Sequence, residues 1–155
     1  MKAKTCVLTL AVRFVAAGVC FAANDAQIGT WKLNEAKSKI GAGAPKNNTV
    51  VYEAAGDSLK VTVDGTAPDG NPTHSEWTGK TDGKDYPSTG NSNEDARSYK
   101  EIDDHTLQFV SKKDGKVVLS GRVVVSADGK SRTVTSGGTD LQGKKFKSTA
   151  VYDKQ

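Results

Sequence analysis

The chain has 155 residues, with 22 Lys and Arg against 18 Asp and Glu, a net charge of +4, and 35% hydrophobic residues. Three of the cations, Lys2, Lys4 and Arg13, lie in an N-terminal segment that reads as removable, and without them 19 basic residues face 18 acidic ones. So small a net charge gives no reason to expect a nucleic acid or an anionic membrane as partner.

Residues 1–22 have the layout of a secretory signal peptide: Lys2 and Lys4 come first, an apolar stretch runs from Cys6 to Val19, and Ala22 offers a small residue at the cut. An apolar stretch of about 14 residues is too short to span a bilayer. The expectation is an exported protein, periplasmic or extracellular, with no membrane insertion. Val19 stands before Cys20 where a lipidation signal needs a small residue. Both cysteines, Cys6 and Cys20, leave with the signal, so residues 23–155 can form neither a disulfide nor a thiolate metal site. That remainder fits a single domain, large enough to bury about two thirds of the surface its unfolded chain exposes.

Short alternating runs rich in Val, Thr and Tyr fill the rest of the chain, separated by glycine-containing turns. This is the pattern of an all-β protein. Strands are expected over about 28–34, 48–55, 58–65, 73–79, 84–88, 97–102, 105–113, 116–126, 130–137 and 144–153. Asp-Gly pairs at 64–65, 69–70, 82–83, 114–115 and 128–129 suit tight hairpin turns. Residues 35–39 have room for one helical turn before the loop Gly41 to Pro45. Leu59, Val61 and Val63 form one dry face, and Val117, Leu119, Val123 and Val125 another, with Gly121 expected at a bend or bulge. In the last strand Phe146, Ser148, Ala150 and Tyr152 share the inner face. A meander of some ten strands disposes of its edges by pairing the first with the last, so we expect an antiparallel up-and-down β-barrel of about 8–10 strands. An outer-membrane barrel fits less well, because these strands put Lys, Thr, Ser and Arg on one face and carry few aromatics.

Gly29-Thr30-Trp31, at the start of the first strand, resembles the Gly-x-Trp signature of lipocalins and related calycin barrels. The likeness continues through Trp31-Lys32-Leu33-Asn34 with Ala36-Lys37-Ser38-Lys39, Tyr52-Glu53-Ala54-Ala55-Gly56-Asp57, Asp82-Gly83-Lys84-Asp85-Tyr86-Pro87, and Ala150-Val151-Tyr152-Asp153-Lys154-Gln155. Together these resemble a set of small exported bacterial proteins with lipocalin-like folds, mostly uncharacterised. The resemblance implies a lipocalin-like barrel, with Gly29 and Trp31 as fold determinants and the tryptophan plugging the closed end. The lipocalin arginine that stacks on this tryptophan has no counterpart at the expected place: Arg122 and Arg132 lie too early, and the last strand offers lysines.

Motifs for chemistry are scarce. No Gly-x-Ser-x-Gly elbow exposes a serine nucleophile. Gly138 to Lys145 has the glycines of a phosphate-binding loop, but Lys145 replaces the hydroxyl and a strand follows. Only two histidines, His74 and His105, are available to a zinc site, and they sit on different strands. Asn91 to Asp95 is acidic like a calcium loop, but Ala96 replaces its glycine. Asp103-Asp104-His105 reads as a polar turn. Neither a catalytic residue nor a metal ligand nor a cofactor is therefore expected.

What the pattern favours is a binding protein. Trp77, Tyr86, Tyr99 and Phe109 occupy the middle strands and are the expected wall of an interior site for a small hydrophobic or amphipathic ligand. Two other classes stay open. One is a filled barrel whose loops recognise a protein partner, as an inhibitor would. The other is a barrel-type isomerase or hydrolase built on Asp103, Asp104, His105 or His74.

Overall fold

A computed structural model describes residues 25–67, 69–140 and 142–155. The signal peptide expected at 1–22 lies outside the described residues. Ten strands follow in chain order: β1 (Gly29–Leu33), β2 (Lys46–Ala55), β3 (Ser58–Thr66), β4 (Pro72–Gly79), β5 (Tyr86–Thr89), β6 (Ala96–Asp103), β7 (Thr106–Lys113), β8 (Lys116–Val125), β9 (Ser131–Thr139) and β10 (Lys145–Lys154). Each pairs antiparallel with its sequence neighbours, and β1 pairs with β10, with Trp31 opposite Lys154 and Leu33 opposite Tyr152. The sheet is thus a closed ten-stranded up-and-down barrel, with no strand edge left over.

Alternation explains why the chain closes this way. Leu59, Val61 and Val63 of β3 are buried, while Glu53 and Glu76 on the neighbouring strands β2 and β4 face out. The same period turns Ser148, Ala150 and Tyr152 of β10 and Arg132 of β9 inward. Up-and-down order also gives the barrel two distinct ends. The lower end collects the start of β1, the turns after β2, β4, β6 and β8, and the end of β10. The upper end collects the 34–45 segment and the turns after β3, β5, β7 and β9.

Local chemistry sets the connections. Asn34 caps a 3-10 turn at Glu35–Lys37, its side-chain oxygen accepting the Lys37 N–H at 3.2 Å. Asp114 and Gly115 carry φ of 49° and 74°, the left-handed pair that a two-residue hairpin needs. Asp69-Gly70, Asp82-Gly83 and Asp128-Gly129 also fall in connections, but Asp64-Gly65 lies inside β3, paired to His74 and Thr73. The turn between β3 and β4 is instead made later, after Thr66, where the Gly70 N–H donates to the Ala67 carbonyl at 2.9 Å.

Two expectations for β8 are corrected. A register shift sets Lys112 against Val117 directly after Ser111 against Leu119, so Val118 is the extra residue of a bulge. The bulge resets the alternation: Leu119, Val123 and Val125 stay inside and Val117 is 59% exposed. Gly121 is not the bulge. It sits opposite Phe109, where a Cβ would come within 2.8 Å of the Phe109 ring and 2.2 Å of the Thr135 carbonyl oxygen. Its missing side chain makes room for an aromatic inside the barrel.

Among the described residues, no helix is long and apolar enough to cross a membrane.

Candidate ligand site in the barrel interior

Trp31 closes the lower end. It is fully buried, and its indole N–H donates to the Gln27 carbonyl at 2.8 Å, which ties β1 to a 3-10 turn at Asp25–Gln27. Gln27, itself 1% exposed, donates from its side chain to the His105 carbonyl at 3.0 Å and so stitches the β6–β7 turn to the same floor. Gly29 has φ of 131°, a backbone conformation that favours glycine, with the flexible end of the Lys154 side chain 2.7 Å from where a Cβ would stand.

On this floor lies Arg132, 2% exposed. Its guanidinium carbon stands 4.8 Å from the Trp31 ring centre, 4.5 Å from Tyr52 and 5.1 Å from Tyr152. The expectation that no arginine reaches the tryptophan is therefore wrong. The β9–β10 hairpin pairs Arg132 with Tyr152 and points both inward, which returns an arginine that is early in sequence to the Trp31 layer. Lys154 adds a second cation, 5.2 Å from the same ring.

Above Arg132 the interior holds a cavity of about 60 Å³. Its polar wall is Tyr52, Tyr99, Tyr152, Arg97, Arg132 and Ser136, with Pro45 and Asn47 toward the upper end. Its apolar wall is Val50, Val63, Phe109, Leu119, Val123 and Val134. No carboxylate, imidazole or thiol lies among these residues.

The two arginines are held differently. Arg97 donates from Nη2 and Nε to Glu94 Oε2 at 2.7 and 3.2 Å, from Nε to Ser111 Oγ at 3.1 Å, and from Nη1 to the Tyr99 hydroxyl at 3.2 Å. Ser88 completes the cluster by donating to Glu94 Oε1 at 2.7 Å. Burial pushes the Glu94 carboxyl up, but the Arg97 guanidinium and the Ser111 and Ser88 hydroxyls outweigh it and hold the group below the usual carboxylate range. Arg97 moves the other way, its burial outweighed by Tyr99 and Glu94.

Arg132 has no such partner. Among the described residues no carboxylate pairs with it, and its buried Nε and Nη1 meet no hydrogen-bond acceptor. Desolvating a cation costs several kcal/mol, and each buried unpaired donor adds about 1–3 kcal/mol. A desolvated cation–π contact contributes about 2 kcal/mol, so the three rings offset only part of that cost. Burial pulls the Arg132 pKa down, against the pull of Tyr52, Tyr152 and Tyr99. Even so, a guanidinium stays protonated at neutral pH. Burial also pushes Tyr52 up, and Tyr152 up to about 12, so both hydroxyls remain protonated donors.

Of the residues expected to line a site, Tyr99 and Phe109 stand on the cavity wall, opposite each other on β6 and β7. Trp77 packs behind Tyr99 at 4.8 Å between ring centres and donates its indole N–H to the Arg97 carbonyl at 2.8 Å. Tyr86 packs edge-on against Trp77, its hydroxyl donating to Asp82 at 3.2 Å toward the lower end. Neither of the two belongs to the wall. Tyr152 was expected on the inner face of the last strand, whereas sequence reasoning passed over Tyr52, Arg97 and Arg132 as wall residues. For Arg132 a signal existed: Arg132, Val134 and Ser136 alternate in phase across the hairpin from Tyr152, Ala150 and Ser148.

The residues weighed for chemistry lie elsewhere. His74 Nδ1 is 2.7 Å from Asp64 on the outer face. In the β6–β7 turn the Asp103 carboxylate accepts the His105 backbone N–H at 2.9 Å.

No known protein-family model matches this chain, and no curated protein matches it. Among solved structures, the redesigned β-barrel b11L5F_LGL aligns with a TM-score of 0.49 and 14% identity, over 86% of this chain and 95% of that one. A second redesigned β-barrel, mFAP1 bound to DFHBI, aligns with a TM-score of 0.46 and 17% identity, over 86% of this chain and all of its own.

Proposed function

We propose that this chain is an exported, lipocalin-like barrel that binds a small molecule in its interior without covalent chemistry. The observation that carries the reading is the interior cavity of about 60 Å³ walled by both hydroxyls and aliphatic side chains. Its size revises the ligand downward. Drug-sized ligands occupy pockets of about 300–1,000 Å³, so the occupant here is small and the barrel is otherwise filled.

Binding is favoured over catalysis because the wall offers arginines and protonated tyrosines, and no group that exchanges a proton near neutral pH. Export rests on the signal-like layout of residues 1–22. The lipocalin-like assignment gains support from a cation stacked on Trp31 above Gly29.

Native mass spectrometry of protein isolated gently from the exported fraction tests the reading. A reproducible low-mass adduct, lost in a Val134→Trp variant that fills the cavity, is the expected result. A clean apo mass, with no change of tryptophan fluorescence across a panel of small ligands, would overturn it in favour of a filled barrel that recognises a protein.

A further inference from the structure

We infer that the interior site takes a small oxyanion, a short-chain carboxylate or an inorganic oxyanion, bound on the Arg132 guanidinium. This rests on the interior-binding reading above and names the ligand class for the same cavity.

Charge is the first argument. Two guanidiniums stand on the cavity wall, and Glu94 balances only Arg97. The wall has no carboxylate, so the interior carries one uncompensated positive charge.

Hydrogen bonding is the second. Nε and Nη1 of Arg132 are buried donors without acceptors. Nε and Nη1 lie on different edges of the guanidinium, each beside Nη2, so a planar carboxylate or an oxyanion would meet one of them together with Nη2. Tyr152 flanks the same guanidinium and is held protonated with no hydrogen-bond partner for its hydroxyl among the described residues, so it can donate to an anion, whereas the Tyr52 hydroxyl is neutral and donates to Tyr99. Arg97 is not free to compete, because Glu94, Ser111 and Tyr99 already engage its donors.

Size and shape are the third. A water needs roughly 10–15 Å³ of such space, so a cavity of about 60 Å³ holds about four to six non-hydrogen atoms. Val50, Val63, Val123 and Val134 give an aliphatic lining that suits a short alkyl group as well as the bare anion. A metal cation or an amine is excluded by the sign of the field.

The test titrates the purified protein with acetate, propionate and phosphate, and with acetamide and propionamide as neutral partners of matched shape. Thermal stability is read together with the NMR signal of the Arg132 Nε–H, recognised by its proximity to Trp31. The expected result is a saturable rise in melting temperature and a shift of that signal with at least one anion and with neither amide. Acetate and propionate against phosphate then separates a carboxylate from an inorganic ligand. Arg132→Met should weaken anion binding by about 10- to 100-fold. If that variant fails to fold, the Nε–H shift in the unmodified protein still decides.

Amides that bind as well as the anions would overturn the oxyanion assignment and leave interior binding standing. Anion binding that survives Arg132→Met, or that moves no Arg132 signal, would overturn it too. Silence from every ligand, identical in Val134→Trp, would overturn the interior-binding reading itself.

Discussion

Arg97 and Arg132 are both buried inside one barrel, and they solve the same problem in opposite ways. Arg97 has a carboxylate, a serine and a tyrosine hydroxyl. Arg132 has three ring faces and two donors left over. A cation given a full set of acceptors is part of the scaffold. One that lines a cavity among ring faces, with donors left unpaired, is the one that would meet a ligand under the proposed function. Stability should therefore depend on the Arg97 cluster, and ligand recognition on Arg132.

The largest effect is expected at Glu94. Glu94→Ala strands the Arg97 charge in the interior, and breaking a buried pair in this way costs about 3–5 kcal/mol. Urea unfolding measures it. A loss below about 1 kcal/mol would mean that Arg97 is no better satisfied than Arg132, and the contrast would fail.

The same contrast has a pH signature at each extreme. Glu94 is held below its ordinary range in the folded state. Its contribution is thus present above the unfolded carboxylate pKa of about 4.3 and is lost as pH falls through the folded value. Tyr152, by contrast, is pushed up to about 12 by burial, against the pull of Arg132. Its contribution is complete below the unfolded tyrosine pKa of about 10 and is lost as pH rises from there toward the folded value. Melting temperature against pH should fall at both ends, and in Tyr152→Phe the alkaline limb should flatten while the acid limb stays as it is.

These two clusters also show what could be read from the chain in advance. All ten strands follow from period-two alternation, because one dry face repeats wherever a strand lies on a core. Tyr99 and Phe109 were legible for the same reason. Val117 was not, since the bulge at Val118 shifts the phase and no residue type announces it. Glu94 was hidden in a polar run that looks like an ordinary turn; only folding brings Ser88, Ser111 and Arg97 around it. Distance along the chain places Arg132 too early for the Trp31 layer, whereas hairpin register decides which layer a residue reaches. Buried charge is hard to see in a sequence, because the partners that make it tolerable come from strands far apart in order.

A smaller effect is expected at Arg132. Arg132→Met removes a desolvated charge together with its ring contacts, two terms of opposite sign that are each of a few kcal/mol. The net change should stay within about 1 kcal/mol in ligand-free buffer, against the much larger loss for Glu94→Ala. Equilibrium unfolding of the two variants side by side reads the difference. A loss at Arg132 as large as that at Glu94 would assign it to the scaffold.

The finest comparison removes one oxygen from each cluster. The Tyr99 hydroxyl accepts from Arg97 Nη1 at 3.2 Å and from the Tyr52 hydroxyl at 3.3 Å, so Tyr99→Phe strips an acceptor from a buried cation. Hydrogen bonds to charged groups contribute about 1.5–3 kcal/mol, and a loss near the lower end is expected because Glu94 remains. The Tyr152 hydroxyl makes no hydrogen bond among the described residues, while its ring faces Arg132 at 5.1 Å. Tyr152→Phe keeps that ring and should change stability at neutral pH by less than about 0.5 kcal/mol. Its effect should show instead in anion affinity, if the hydroxyl donates to the ligand. Equal losses in the two variants would mean that hydroxyls, not ring faces, hold Arg132 in place, and that its unpartnered donors are already served from within the barrel.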